Sequence, residues 1–211
     1  MSKEIAKILV EIGSVNFDFK KYFTLTSGLK SPVYVDCRKI ISFTKERDFI
    51  IDKAIQYLKE NNIDNDIIAG GETAGIPYAA FLSQKLKKPM VYIRKKPKGF
   101  GINKQIEGKF DYKSSALLVE DLATDGGSKI TFVNAMREVG LNVKDIFVIF
   151  YYDIFNFEKS ELYKLNVKIH SLCTWKNIVE YIKSEKIYTE NEISNLKEFL
   201  RDPDKWRKKY G

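Results

Sequence analysis

Hydrophobic residues in the middle of the chain occur in two alternating patterns. Short uninterrupted apolar runs predict strands, whereas apolar positions spaced three and four residues apart predict helices. The predicted strands are 67–71, 90–94, 116–120, 146–152 and 167–172, and the predicted helices between them are 76–87 and 128–139. Strands that alternate with helices at this spacing indicate an α/β fold with a parallel sheet flanked by helices.

The two ends of the chain follow other patterns. The spacing of Ile5, Ile8, Leu9 and Ile12 predicts an amphipathic helix over residues 2–12. The further predicted elements are a hairpin with strands at 22–25 and 33–35 around a turn at 27–32, helices at 45–61, 175–183 and 190–200, and a basic tail. We expect a single domain over 1–211, with a small N-terminal hood of about 1–40 and with C-terminal helices at 175–211 that pack on the core.

Composition excludes several classes of protein. Hydrophobic residues make up 44% of the 211 positions, which is too many for a disordered chain. The longest apolar run, 146–152, is far shorter than the roughly 18 residues of a membrane helix. Charged residues near the N-terminus interrupt any signal-peptide core. Cys37 and Cys173 are too few for a disulfide framework. We therefore expect a cytoplasmic protein without a membrane partner.

Histidine-based chemistry is nearly excluded. The chain has one histidine, His170, so a site with two histidine ligands is impossible and any catalytic triad must use this residue. Because His170 lies in a strand-like run, a structural role is favoured over a catalytic one. The chemistry must therefore come from carboxylates, lysines, backbone amides or a metal that a ligand brings.

The positive charge is concentrated in one segment. The chain has 36 Lys and Arg against 28 Asp and Glu, a net charge of +8. Within residues 94–108, which we call the basic loop, the stretch 94–104 contributes five of these charges and no acid, through Arg94, Lys95, Lys96, Lys98 and Lys104. A nucleic-acid-binding protein more often spreads its excess charge over a face. A small polyanion is the favoured ligand, and a solvated loop without a ligand is the alternative.

The segment 116–128 carries the most informative pattern. An apolar strand is predicted to end at two acids, Glu120 and Asp121, followed by a turn and a helix. We call residues 124–128 the anion cup: backbone amides around Gly126 and Gly127, the hydroxyls of Thr124 and Ser128 and the next helix dipole converge there. The acids suit ribose hydroxyls or the waters of a magnesium ion on a pyrophosphate. The alternative is a helix capped by Asp125 or Ser128.

Two familiar phosphate motifs are absent. The segment that begins Gly70-Gly71 has P-loop glycine spacing but carries Ile76-Pro77 where lysine and a hydroxyl residue are required. The Gly99-Phe100-Gly101 segment has Lys104 in place of the third glycine of a dinucleotide-binding fingerprint. Neither an ATPase of the P-loop class nor a Rossmann dehydrogenase fits.

Residues 120–128 resemble the phosphoribosyl pyrophosphate (PRPP) motif of type I phosphoribosyltransferases. The segments 23–32, 73–77, 94–101 and 105–108 occur in the order and spacing of the orotate phosphoribosyltransferase family. The resemblance spans about residues 15–155. The Ser-Gly-x-x-Ser-Pro segment of the hood, at 27–32, is what indicates orotate as the acceptor.

The resemblance implies an enzyme that transfers the 5-phosphoribosyl group from PRPP to orotate, giving orotidine 5′-monophosphate and pyrophosphate. Mg²⁺ would be carried by PRPP, with no direct protein ligand. Family members are homodimers in which the basic loop, here 94–108, reaches the neighbouring site.

Roles carried over by position fall into three groups. Lys98 and Asp121 would be catalytic. The PRPP-binding residues would be Arg94, Lys95, Lys98, Glu120, Asp121, Leu122, Ala123, Thr124, Asp125, Gly126, Gly127 and Ser128. The pyrophosphate loop would be Glu72, Thr73, Ala74 and Gly75, and Thr124 would also lie near orotate.

Some positions depart from the pattern of the family. Thr26, Ala74 and Phe100 stand where members often carry lysine, lysine and histidine. An orotate-binding arginine of some members is absent from 152–155. Our hypothesis is that Arg38 neutralises the orotate carboxylate, with Lys30 as the second candidate. The alternative for Arg38 is a surface ion pair with Asp36.

Two other functions remain possible from the sequence. One is a phosphoribosyltransferase for another base, such as a purine, which the hood segment argues against. The other is a non-catalytic regulator that senses PRPP and binds nucleic acid. The absence of a broad basic face disfavours the regulator, and so does the presence of Lys98.

Overall fold

A computed structural model describes residues 2–25, 27–97, 105–124 and 126–210. The strands are β1 (Val15–Phe17), β2 (Phe23–Thr24), β3 (Lys30–Ser31), β4 (Val33–Val35), β5 (Ile67–Gly71), β6 (Met90–Ile93), β7 (Ile106–Glu107), β8 (Ser115–Ala123), β9 (Asn142–Tyr151) and β10 (Lys168–Thr174). The helices are α1 (Ser2–Glu11), α2 (Thr44–Glu60), α3 (Gly75–Leu86), α4 (Gly127–Glu138), α5 (Glu161–Lys164), α6 (Trp175–Ser184), α7 (Glu190–Arg201) and α8 (Pro203–Tyr210). Short 3₁₀ helices lie at Cys37–Ser42 and Phe157–Lys159.

The chain divides into two compact units. One comprises Met1–Glu46 together with Cys173–Gly211, and the other comprises Arg47–Leu172. The smaller unit thus combines the N-terminal segment with the C-terminal helices. The larger unit contains the strands and helices that carry the predicted PRPP motif.

A six-stranded sheet with the order β10-β9-β8-β5-β6-β7 forms the centre of the larger unit. The neighbouring pairs β5–β6, β5–β8 and β8–β9 are parallel, whereas β6 and β7 are antiparallel. This arrangement confirms the predicted α/β class, and β7 makes the sheet mixed rather than wholly parallel.

The central strands are buried because their sequences are apolar along almost their whole length. Every residue of β5 is buried, and so is β8 from Ala116 to Asp121. Continuous apolar runs of this kind are typical of parallel strands covered on both faces. Gly70 lets α3 approach the sheet, since a Cβ at that position would lie 2.9 Å from Ile76 Cα.

The smaller unit is built from short strands and four helices. Strand β1 pairs antiparallel with β4, and β2 pairs antiparallel with β3. Helix α1 packs against α6, and α7 packs against α8. The fully buried Trp206 of α8 contacts the rings of Tyr22, Phe199 and Tyr210 at centroid distances of 4.8, 5.3 and 5.2 Å.

The predicted hairpin is wrong in its pairing. The strand at 33–35 pairs with β1, which the sequence pattern did not indicate, and not with 22–25. The residues assigned to the turn include β3, which pairs with β2. Strands of two or three residues are too short to show a periodicity, so only the tertiary pairing reveals them.

Other differences concern the bounds of single elements. Strand β8 continues to Ala123, three residues beyond the predicted end, so Glu120 and Asp121 lie within the strand rather than at its end. The predicted basic tail is the helix α8, and β7, α5 and both 3₁₀ helices were not predicted. In the described ranges, no helix is long and apolar enough to cross a membrane.

Candidate active site

Three loops meet at one edge of the central sheet. They follow β5, β6 and β8, whose parallel pairing aligns Gly71 with Ile93 and Gly70 with Val119. Because the carboxyl ends of parallel strands lie at the same edge, the pyrophosphate loop at 72–75, the start of the basic loop and the anion cup lie together. The fold therefore gathers the main PRPP-binding segments predicted from the sequence.

The two acids of β8 are buried at this edge. Glu120 is 6% exposed and Asp121 is 8% exposed. Successive strand residues point to opposite faces of a sheet, so the two side chains leave β8 in different directions. Burial raises the pKa of Glu120 above its usual value, and the nearby ammonium of Lys129 opposes that rise.

The anion cup leads into α4, whose N-cap residue is a glycine. Gly126 precedes α4 with a φ of +87°, a conformation that favours glycine, and its helix start has no side-chain capping bond. The interpretation in which Ser128 caps the helix is therefore not supported. Thr124 is exposed, Ala123 is buried and Leu122 is half-buried. An uncapped helix start suits an anion, because the first amides lack intrahelical partners.

A second uncapped helix start lies beside the first. Ala74 precedes α3, again without a side-chain capping bond. The pyrophosphate loop is tied to the neighbouring strand, because Glu72 N donates to Ile93 O at 2.8 Å and Lys95 N donates to Glu72 Oε2 at 2.7 Å. The Glu72–Thr73 peptide is cis. Two helix N-termini at one edge would suit a ligand with phosphate groups at both ends.

The basic loop leaves the sheet through a hydrogen-bonded stem. Arg94 N donates to Gln105 O at 2.8 Å, and Gln105 Nε2 donates to Arg94 O at 3.0 Å. The guanidinium of Arg94 lies 3.8 Å from Glu107 Oε1. Arg94 and Lys95 are thus placed at the edge of the site. The predictions for Lys98 and Asp125, and the departures at Thr26 and Phe100, lie outside the described residues.

Lys129 is a site residue that sequence reasoning missed. It is 6% exposed, and its Nζ lies 3.2 Å from Glu120 Oε2. A signal was present, since Lys129 occupies the same helical face as Phe132, Val133 and Met136, all of which are buried. A lysine on the apolar face of a helix indicates a buried partner of opposite charge.

Comparison with known proteins decides the family. Residues 41–191 match the model of the phosphoribosyl transferase domain. The orotate phosphoribosyltransferase of Roseobacter denitrificans is 46% identical over 211 residues, which cover 98% of this chain and 93% of that protein. The chain belongs to the orotate phosphoribosyltransferase family. The resemblance of its motifs to this family is therefore confirmed.

Solved structures agree with this assignment. The orotate phosphoribosyltransferase of Aeropyrum pernix superposes with a TM-score of 0.73 at 28% identity, covering 85% of this chain and 98% of that one. The UMP synthase of Leishmania donovani gives a TM-score of 0.78 at 26% identity, over 94% of this chain and 42% of that one. The type I phosphoribosyltransferase fold is thus shared with both.

The two candidates for the orotate carboxylate lie in the smaller unit of this phosphoribosyltransferase. Arg38 Nε lies 2.6 Å from Asp36 Oδ1, and Arg38 NH2 lies 3.5 Å from Tyr34 Oη. The ion pair that was the alternative for Arg38 is present, although its guanidinium side chain is 59% exposed. Lys30 Nζ donates to Thr24 Oγ1 at 3.0 Å. Both side chains carry positive charge on the hood.

The contacts of His170 in this phosphoribosyltransferase are typical of a structural residue rather than a catalytic one. Its Nε2 lies 2.8 Å from Asp145 Oδ1, and its Nδ1 lies 3.4 Å from Tyr57 Oη. Asp145 is near the start of β9, whereas the anion cup is beyond the end of β8. Across the described ranges, no group of three or more His, Cys, Asp or Glu side chains has the arrangement of a metal site.

Proposed function

We propose that this chain is an orotate phosphoribosyltransferase that makes orotidine 5′-monophosphate and pyrophosphate from PRPP and orotate. The observation that carries the proposal is the sheet edge at which a buried acid pair lies close to the N-termini of α3 and α4. Phosphate groups at the helix starts and a sugar between them reproduce the layout of PRPP. The proposed pathway is pyrimidine biosynthesis.

The two helix starts divide the phosphates of PRPP between them. The anion cup before α4 binds the 5′-phosphate through backbone amides and the hydroxyls of Thr124 and Ser128. The pyrophosphate loop before α3 binds the diphosphate through its backbone. Glu120 and Asp121 accept hydrogen bonds from the ribose hydroxyls between these points.

The reaction needs charge stabilisation rather than a protein nucleophile. The bond from the ribose C1 to the diphosphate oxygen breaks, and a bond forms from C1 to the ring nitrogen of orotate. That nitrogen loses its proton, and the released diphosphate can accept it. Positive charge develops on the sugar and negative charge on the leaving diphosphate. The buried carboxylates of Glu120 and Asp121 favour the first charge, and the cations of Arg94, Lys95 and Lys98 favour the second.

Hard oxygen donors at this edge fit Mg²⁺. Glu120 and Asp121 are the carboxylates nearest the cup, and they would contact the ion through its waters while the PRPP oxygens bind it directly. When bound, the ion supplies neutralisation of the diphosphate charge. Lys95 adds to that neutralisation, and its ammonium also lowers the pKa of the Glu120 carboxyl.

We further propose that the basic loop, 94–108, closes on the neighbouring site of a homodimer and excludes water from the cation-like sugar. Arg38 or Lys30 neutralises the carboxylate of orotate. The location is the cytoplasm, where cysteines outside disulfides, such as Cys37 and Cys173, are usual. The enzyme has no nucleic-acid partner.

The decisive assay follows the loss of orotate absorbance in the presence of PRPP and Mg²⁺. We expect consumption of orotate that depends on both, with formation of orotidine 5′-monophosphate confirmed by chromatography. Uracil, adenine and hypoxanthine serve as competing bases. Nucleotide formed from one of these bases and not from orotate would overturn the proposed acceptor.

A further inference from the structure

Lys129 is a buried lysine in the first turn of α4. Its side chain is 8% exposed, and its Nζ contacts Glu120 Oε2 and Ser128 Oγ, each at 3.2 Å. The residue projects from the face of α4 that contacts the core of the larger unit. Lys129 therefore connects Ser128 of the anion cup to Glu120 of β8, and it does so on the buried side of α4.

A lysine in this place is unfavourable without a partner. The first turn of a helix carries the positive end of the helix dipole, which repels a cation. Removing an ammonium from water adds a desolvation penalty that an ion pair must offset. Glu120, with a side chain that is also 8% exposed, is the carboxylate that offsets it.

Two glycines form a socket for the carboxylate of Glu120. A Cβ at Gly71 would lie 1.8 Å from Glu120 Oε1 and 2.7 Å from Phe132 Cε2. A Cβ at Gly75 would lie 2.9 Å from the same oxygen. The carboxylate thus occupies space beside the pyrophosphate loop that any other residue at position 71 would fill.

The two oxygens of Glu120 have different environments. Oε2 accepts from Lys129, whereas Oε1 is buried and has no hydrogen-bond partner among the described residues. Buried acceptors are normally satisfied, so Oε1 is suited to a donor that arrives with a ligand. A ribose hydroxyl is such a donor.

Three charged groups act on this carboxyl besides its burial. Burial raises the pKa of Glu120, the ammonium groups of Lys129 and Lys95 lower it, and the carboxylate of Asp121 raises it. Lys129 is the larger of the two lowering influences. Without Lys129, burial and Asp121 would favour the protonated acid.

We propose that Lys129 is a positioning residue for the sugar-binding acids: it holds one oxygen of Glu120 in the glycine socket, keeps the carboxylate charged and leaves the other oxygen for the ribose. This inference rests on the proposed function. Lys129 itself does not contact the reacting atoms.

The test compares Lys129→Met with Lys129→Arg over a pH range. Loss of the ammonium makes Glu120 harder to ionise, so the acidic limb of kcat/KM for PRPP moves to higher pH by about one unit or more. We expect a loss of up to about tenfold on the acidic limb for each unit of that shift, which shrinks toward pH 8.5, with little change in the KM for orotate. Lys129→Arg keeps the limb near that of the wild type.

Matched controls separate this role from simple loss of charge or of structure. Lys144→Met removes an exposed lysine near the start of β9, and its pH profile should equal that of the wild type. The single variant Glu120→Gln and the double variant that also carries Lys129→Met should give equal kcat/KM values for PRPP, because Lys129 acts through Glu120. The comparison of these two variants also tests the inference if the single variant Lys129→Met does not fold.

Two results would overturn the inference. One is an acidic limb that Lys129→Met leaves unchanged, and the other is a double variant far less active than Glu120→Gln. Calorimetric titration of PRPP into wild type and Lys129→Met at pH 6 and pH 8.5 tests Lys129 without any acceptor base. A wild type that binds PRPP but does not consume orotate would contradict the proposed function and leave this test intact.

Discussion

At the residue scale, the site depends on small side chains as much as on charged ones. Gly71 and Gly75 provide the space that the carboxylate of Glu120 occupies. Gly126 has a positive φ, and this conformation lets the anion cup continue directly into α4. Glu120 and Asp121 are buried although they are acids, which isolated strand residues of this type rarely are. A ligand that uses them, as proposed above, would account for two acids in a buried part of the strand.

Gly71→Ala should disturb both stability and catalysis. The added methyl group would overlap Glu120 Oε1 and press on Phe132, so we expect a loss of about 1–3 kcal/mol in the free energy of unfolding. Displacement of the carboxylate should also lower kcat/KM for PRPP. Urea unfolding and steady-state kinetics measure the two effects. A variant as stable and active as the wild type would show that the socket is not needed.

Arg38→Ala tests the proposed contact with the orotate carboxylate. Loss of a charge-assisted hydrogen bond of about 1.5–3 kcal/mol should raise the KM for orotate by roughly tenfold or more, with the KM for PRPP unchanged. Lys45→Ala removes an exposed cation nearby in the sequence and is the control. An unaltered orotate KM would leave Arg38 as the partner of Asp36 alone and would favour Lys30.

At the scale of elements, the strand-turn-helix unit of β8, the anion cup and α4 forms the proposed PRPP site. The C-terminal helix α8 belongs to the smaller unit and has a different role. Its buried Trp206 packs among the aromatic rings of Tyr22, Phe199 and Tyr210, and Arg207 Nε donates to Lys30 O at 3.1 Å. Helix α8 therefore holds the hood strand that carries Lys30.

Arg207→Ala should weaken orotate binding if Lys30 lies against orotate. Loss of one hydrogen bond to the backbone of Lys30, worth about 1 kcal/mol, should raise the orotate KM by roughly fivefold. Lys209→Ala is a matched control, because this lysine of the same helix pairs with Glu198 on α7. Equal orotate KM values for the two variants would show that the contact of α8 with Lys30 does not affect orotate binding.

At the scale of the whole molecule, several carboxylates stabilise the fold only when charged. Hydrogen bonds to backbone amides or hydroxyls lower the pKa of Asp18, Asp66 and Glu192, and the ammonium of Lys3 lowers that of Glu185. A lowered folded pKa contributes stability above the unfolded value of about 4, and this stability is lost as the pH falls through the folded pKa. Acid should therefore destabilise the protein below about pH 4.

Asp66→Asn isolates one of these contributions. Asp66 Oδ2 accepts from Ser115 N at 2.8 Å and from Ser115 Oγ at 2.7 Å, which joins the starts of β5 and β8. We expect the Tm difference between wild type and variant to be largest at neutral pH and to shrink below pH 4. Asp111→Asn, at an exposed position, is the control. A Tm difference that does not vary with pH would contradict this role of the charge.

The proposed homodimer predicts complementation between two inactive variants. Lys98→Ala removes the loop cation and Asp121→Asn removes a sugar-binding acid, so each homodimer should lose most of its activity. If the basic loop serves the neighbouring site, a mixed dimer has one site with both residues intact, and random pairing should restore about a quarter of wild-type activity. Co-expression with two different tags gives the mixed dimer. No recovery would indicate that the loop closes on its own subunit.

The sequence by itself determined the α/β class, the long elements and the family. Apolar runs and helical spacing specify β5, β8, β9, α3 and α4 locally, and the PRPP motif is contiguous at 120–128. These features need no knowledge of distant contacts, because each is encoded within about a dozen neighbouring residues.

Only the tertiary structure decided the rest. The pairing of β1 with β4, the stem that joins Arg94 to Gln105 and the ion pair of Lys129 with Glu120 link residues that different elements bring together. No local pattern specifies such partners, since they depend on strand order and on which helix face is buried. The motif thus indicated the ligand, whereas the packing around it decided how its acids are held.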